Sequence, residues 1–362
     1  MRSKSLSLRC GVALALGVAS AAWPIAQAAS VDLPPVSVGA GLRTSFISKD
    51  YDDLDADSND FEVESARIYL SGKVTDDISL MFNTEYDGTD EKVRVMDAAA
   101  QFAFSDQFNI WAGRFLPPSD RANLYGPYYA SHWGVFQDGV QDGYPFETAG
   151  RADGVMYWGQ FGIAKVSAGV FDVPGTKQQP GGNPDAEKVL GAARVQLDFW
   201  DPEGGYYLNG TYYGEKDLLA VGVAGQVVDD DEAYSIDFLL EKKLASLGVV
   251  TVEAEYAMYD GLGGYGTPIG GGYDKEDGWY ALAGYLFPQE VGIGKFQVLA
   301  KYGEATYDFD FVDLDQETLE VDLNYLIKSF NARVSLFYID QSFDPNIGGD
   351  VSQIGLGLQV QM

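Results

Sequence analysis

His132 is the only imidazole in the chain, and Ser131 precedes it. A hydrolase would need that imidazole beside a Ser or Asp nucleophile system. Adjacency along the chain does not build such geometry, and no G-x-S-x-G stretch occurs. The lone histidine excludes multi-His metal sites, and the lone cysteine, Cys10, excludes a disulfide framework and a Cys-based zinc site. Asp53, Asp55, Asp57 and Glu64 stand at the first, third, fifth and twelfth places of a calcium-loop spacing. Ser58 stands where that loop needs glycine, and the second half alternates like a strand. The residues read as no more than a loose divalent-cation site at Asp53, Asp55 and Asp57. The acidic run 229–232 is a second such cluster. Glycines at 261–264 and 270–272 have no helix after them, so they form no phosphate loop. The sequence predicts no catalytic centre and no resident cofactor.

The elements that position these residues follow from composition and periodicity. The chain has 54 Asp+Glu against 24 Lys+Arg, a formal net charge of −30, which repels nucleic acid. A hydrophobic content of 46%, with 14% aromatic residues, is too rich for a disordered chain. Residues 1–28 read as a cleaved signal peptide: Arg2, Lys4 and Arg9, an apolar run from Cys10 to Ala22, and Ala26-Gln27-Ala28 at the cleavage site. Residues 29–362 then form one domain without cysteine.

That domain shows little helical period. Its segments alternate apolar and polar residues, as in Leu319, Val321, Leu323, Tyr325 and Ile327 against Glu320, Asp322 and Asn324. A soluble sandwich also alternates, but its strands are usually about 5–6 residues long, whereas a tilted membrane strand needs about 9–11. Aromatic residues gather at segment ends, and tight turns alternate with long loops, as in a membrane barrel. The expected strands are 36–48, 61–74, 78–87, 93–104, 107–116, 150–159, 162–172, 187–200, 218–228, 233–244, 248–259, 278–288, 295–307, 317–328, 331–342 and 351–362. An even count is the bacterial rule, so 201–217 reads as an elaborated turn rather than a further strand. The fold class is all-β: a transmembrane antiparallel β-barrel of about 16 strands. A barrel that wide leaves an aqueous lumen.

Alternation assigns the lumen face. Its bases are Arg67, Lys165, Arg194, Lys295, Lys301 and Arg333. Its more numerous acids are Glu85, Asp97, Asp198, Asp237, Glu241, Glu253, Glu255, Glu320 and Asp322. Residues 117–149 are the largest insertion, follow the fifth strand, and are dense in aromatic residues. They read as a third loop folded into the lumen as a constriction. Its polar contacts for solute would be Arg114, Asp120, Arg121, His132, Asp138, Asp142 and Glu147. An acidic lining favours cations.

Trp111-Ala-Gly-Arg-Phe-Leu-Pro-Pro118 resembles the strand that enters loop 3 in the phosphate-selective porin O/P superfamily. The segment Tyr206 to Gly222 resembles a mid-barrel stretch of the same group. The resemblance implies a homotrimeric Gram-negative outer-membrane porin. The arginine ladder and clustered lysines of its phosphate-selective members are not present here. The expected role is therefore passive diffusion of small hydrophilic solutes and ions with weak cation preference. The alternatives are an anion or phosphate channel, or a non-conducting adhesin or structural barrel. Expected surroundings are outer-membrane lipid and lipopolysaccharide, with Ca2+ or Mg2+ bridging acidic loops to the latter.

Overall fold

Alternation with period two gives each strand one apolar and one polar face, and a sheet of such strands can satisfy all its backbone groups only by closing. The computed structural model describes residues 36–51, 56–88, 91–140, 150–172, 188–262, 275–309, 312–346 and 349–362. The signal segment 1–28 lies outside them, as do Asp53, Asp55, Asp142 and Glu147.

The first half of the wall comprises β1 (Val36–Tyr51), β2 (Ala56–Lys73), β3 (Ile78–Asp87), β4 (Lys92–Ser105), β5 (Phe108–Phe115), β6 (Ala152–Phe161), β7 (Ala164–Asp172) and β8 (Val189–Asp198). The second comprises β9 (Leu218–Val228), β10 (Asp231–Lys243), β11 (Val249–Asp260), β12 (Lys275–Val291), β13 (Gly294–Phe309), β14 (Val312–Lys328), β15 (Ala332–Asp344) and β16 (Val351–Gln361). Each strand pairs with its sequence neighbours, and β1 pairs antiparallel with β16 from Gly41↔Gln361 to Tyr51↔Val351, closing the barrel. One helix, α1 (Arg121–Tyr129), lies between β5 and β6.

All sixteen expected strands are present, and 201–217 contains none. The outer wall is apolar: Val38, Leu42, Phe46, Ile68, Leu80, Phe82, Val298, Val321, Leu336, Ile354 and Leu356 are all exposed. Rings gather at its two ends. Phe104, Phe108 and Tyr157 contact one another in sequence as tilted rings near the end that carries the termini, while Trp279–Tyr302 and Tyr234–Tyr256 meet near the other, outer end. This is the double aromatic girdle of a membrane barrel.

The β1–β2 ladder runs beyond the expected strand ends at 48 and 61, continuing to Asp50↔Asp57 and Tyr51↔Ala56. The outward rings of Phe46 and Phe61, 4.8 Å apart, help hold that extension. Asp57 lies on β2, and Asp53 and Asp55 of the loose cation site lie outside the described residues. No group of three or more His, Cys, Asp or Glu among the described residues could hold a metal ion. The helix α1 was not foreseen either. Asp120 caps it by accepting from the Asn123 amide at 2.7 Å, and it kinks at Gly126, whose φ of 60° favours glycine, just before Pro127.

Candidate functional site

The inward faces of the wall meet two segments that leave it. Residues 117–140 cross the lumen from the outer end, and 201–217 rise into it from the end of the termini. They join directly. Leu208 N donates to Leu124 O at 3.2 Å, Gly210 N to Tyr129 O at 3.0 Å, and the Tyr206 hydroxyl to Leu116 O at 2.8 Å. At their centre Arg121, fully buried, grips Glu203 with both terminal nitrogens at 3.0 and 2.5 Å and lies 3.6 Å from Asp237. Burial alone would raise the Glu203 carboxyl. The adjacent Arg121 guanidinium outweighs it and holds that carboxyl below its ordinary value.

Wall charges anchor the remainder. Arg194 forms a two-pronged pair with Asp237 and also donates to Ser119 O at 3.0 Å. Glu253 accepts from Tyr125 at 2.9 Å and from Tyr280 at 2.7 Å. Glu241 accepts from the Thr211 hydroxyl at 2.6 Å and from the amides of Tyr212 and Gly214. Lys301 bonds Asp138 at 2.6 Å and reaches His132 Nε2 at 3.1 Å. Burial pushes the His132 imidazole well below its ordinary value, and Lys301, Arg333 and Arg43 push it the same way, so the ring is neutral.

The tip of the loop is held by backbone. Glu320 accepts from the amides of Trp133 and Gly134 at 2.9 and 2.6 Å, and Asp322 accepts from Trp133 at 2.8 Å. Arg333 donates to Ala130 O at 2.7 Å, and Arg43 to Trp133 O at 3.0 Å. The Trp133 ring lies between the Arg43 guanidinium, 4.0 Å from its centroid, and the stacked Phe337 ring, 5.5 Å away. It fits because Gly357 beneath it has no side chain: a Cβ there would strike the indole. Gly357→Val is expected to lift Trp133 off the wall at a cost of about 1–3 kcal/mol, read as a lower thermal midpoint of the folded barrel. An unchanged midpoint would show that the ring is not seated there.

Alternation put Lys165, Arg194, Asp198, Asp237, Glu241, Glu253, Glu255, Lys301, Glu320, Asp322 and Arg333 on the inward face, and the structure agrees. It corrects the idea that they line water. All are buried, because 117–140 and 201–217 pack over them. Asp120, Arg121, His132 and Asp138 are buried within the same packing. Arg114 is corrected further. It alternates with the inward rings of Trp111 and Phe115, so it lies on the outer face, where it meets Asp153 at 3.4 Å. Lys295 stays partly exposed near the end of the termini.

What keeps solvent exposure is a track along β2–β4. Down β3 the inward residues Asp87, Asn83 and Met81 are partly exposed, as are Arg67 and Tyr69 on β2, Arg94 and Gln101 on β4, and Arg151 just before β6. Three ion pairs line it: Arg94–Asp87 at 2.8 Å, Arg67–Glu85 at 2.7 Å and Arg151–Asp97 at 3.5 Å. The plug forms its opposite side through Tyr128, whose ring lies 4.8 Å beneath Arg67, and through Tyr207, which bonds Asp97 at 3.0 Å.

The sixteen-stranded closed barrel matches solved outer-membrane barrels. The fold is a porin fold. OprB of Pseudomonas putida matches over 90% of this chain and 94% of its own with a TM-score of 0.61, at 9% identity. An anion-selective porin from Comamonas acidovorans matches over 91% and 100%, with a TM-score of 0.59 and 13% identity. Salmonella typhi OmpF matches over 91% and 98%, with a TM-score of 0.55 and 12% identity. No protein-family model and no curated protein matches the sequence. The likeness to the O/P superfamily thus rests on the two segments quoted above. Within the porin fold, the first of them, Trp111 to Pro118, does lead into the inward loop.

Sequence reasoning missed Arg43, Arg94, Arg151, Glu203 and Tyr207. Arg94 carries a usable signal, since it lies between the outward Val93 and Val95. Glu203 and Tyr207 carry none, because their segment has no period.

Proposed function

We propose that this protein is an outer-membrane porin, a passive diffusion channel for small hydrophilic solutes and ions with weak cation preference. The observation that carries this reading is the partly exposed track of paired charges along β2–β4. Most acids of the chain's inner wall are committed to anchoring the plug. The track itself is close to charge-balanced. The acidic exterior raises the local cation concentration, which gives a preference without strong selectivity. Passage is then decided mainly by size.

The reading includes a homotrimer. Arg114 and Asp153 form an ion pair on the outer wall, seven residues beyond the β4–β5 turn in the case of Arg114. An arginine facing lipid at mid-depth costs about 2–4 kcal/mol, so contact with a second copy suits this part of the wall better than lipid does.

The test is the reversal potential of the refolded barrel in a planar bilayer under a KCl gradient. A small potential of cation-selective sign is expected. A large anion-selective potential would return the phosphate-channel alternative, and absence of conductance would leave the non-conducting barrel.

A further inference from the structure

We propose that Tyr207 is a specificity-determining residue of the channel, a bar set across the passage by the segment that rises from the end of the termini. This rests on the porin reading above. Tyr206 and Leu208 turn into the plug and are buried, whereas Tyr207 between them stays partly exposed on the side of the track. Its hydroxyl reaches the β4 wall and donates to Asp97 at 3.0 Å. Asp97 is itself fixed by Asn83 Nδ2 at 2.8 Å and by Arg151 at 3.5 Å. The ring is held from behind by Trp111 and Tyr206, with centroids 5.7 and 5.3 Å away. A rigid ring joins plug to wall at the level of Asn83, while Asp87 and Arg94 lie on the outer side of it and Met81 and Gln101 on the other. Solutes moving along β3 must pass its edge. The constriction is thus built from both ends of the barrel: a loop from one and a turn from the other.

The experiment measures single-channel conductance, and the swelling of proteoliposomes in sugars of increasing size, for wild type, Tyr207→Ala and Tyr207→Phe. Removing the ring widens the narrowest step, and conductance is expected to rise roughly twofold with a larger sugar cut-off. Tyr207→Phe keeps the ring and its aromatic neighbours, and is expected to keep the wild-type cut-off. Tyr234→Ala, which removes an outward-facing ring, controls for loss of a tyrosine as such. If Tyr207→Ala matches wild type in both readouts, the proposal is overturned. Silent wild type with conducting Tyr207→Ala supports the bar and overturns only the open-channel reading. Silence in both overturns the two together.

A second route does not depend on the alanine variant folding. Residues 29–362 contain no cysteine, so Tyr207→Cys introduces a unique thiol. Modification with a bulky methanethiosulfonate reagent is expected to lower its current, and a current unchanged after full modification overturns the proposal.

Discussion

Arg121→Ala is expected to destabilise the barrel by about 3–5 kcal/mol, the usual cost of removing one partner from a buried ion pair. The side chains of Arg121 and Glu203 are both at 0% exposure. The substitution leaves the Glu203 carboxylate buried, with only Gln196 at 2.7 Å, Tyr212 at 3.0 Å and the Lys165 charge nearby to balance it. It also removes the donor to Asn209 O, one of the few bonds that tie the two inward segments together. The measurement is the temperature at which the refolded protein loses its compact electrophoretic mobility in detergent. A wild-type midpoint would show that the pair does not hold the plug. Replacing both partners by apolar residues, Arg121→Met with Glu203→Leu, is expected to recover most of the loss, because no lone charge then remains buried. Channel recordings should show the same pattern, with excess current noise in Arg121→Ala and quiet openings in the double variant.

His132 gives the second large effect, and it depends on pH. The ring is fully buried, and Lys301, Arg333 and Arg43 face it from β13, β15 and β1, with Asp138 beside Lys301. Its folded pKa lies well below the ordinary 6.5. The unfolded chain therefore binds a proton that the folded chain refuses. Stability contributed by the neutral ring is present above pH 6.5 and falls as pH drops below it, by about 1.4 kcal/mol per pH unit until the folded ring titrates. Glu203 has the same sign at lower pH, being held below its ordinary 4.5, so its contribution is lost as pH falls through that range. Asp120, raised mainly by burial, acts in the opposite direction. Between pH 6.5 and about 5 the His132 contribution falls with pH, so the thermal midpoint of wild type should decline relative to that of His132→Gln across this window. Equal slopes for the two proteins would remove His132 from the account.

The fold was legible because a wall with lipid on one side and polar groups on the other imposes strict alternation over ten or more residues. That pattern located every strand. It left Tyr206 to Tyr213 open as a further strand, and the rule of an even strand count placed 201–217 outside the sheet. Alternation states which way a side chain points. It does not state what stands in front of it. Glu253, Glu320 and Asp322 were correctly turned inward and wrongly assigned to water, because the segments that cover them have no period from which their path could be read. Arg114 shows the complementary error. Its place beside the loop drew it into the constriction, although its parity with Ala112 and against Trp111 already placed it outside. The expected strands stopped at 48 and resumed at 61 because the residues between are polar; the ladder runs on to Tyr51↔Ala56, since exposed strand ends tolerate charge.

The plug also fixes an order of assembly. Residues 117–140 take their anchors from β1 and β2, made before them, and from β8, β10, β11, β13, β14, β15 and β16, made after them. Gln359, two residues from the last strand's end, reaches back to Tyr128 O at 2.9 Å. The loop can therefore complete its seat only when the final hairpin has zipped against the first strand. Until that closure the nascent sheet has a vacant interior and its catch is unfastened, so seating of the loop reports that the ring of strands is complete.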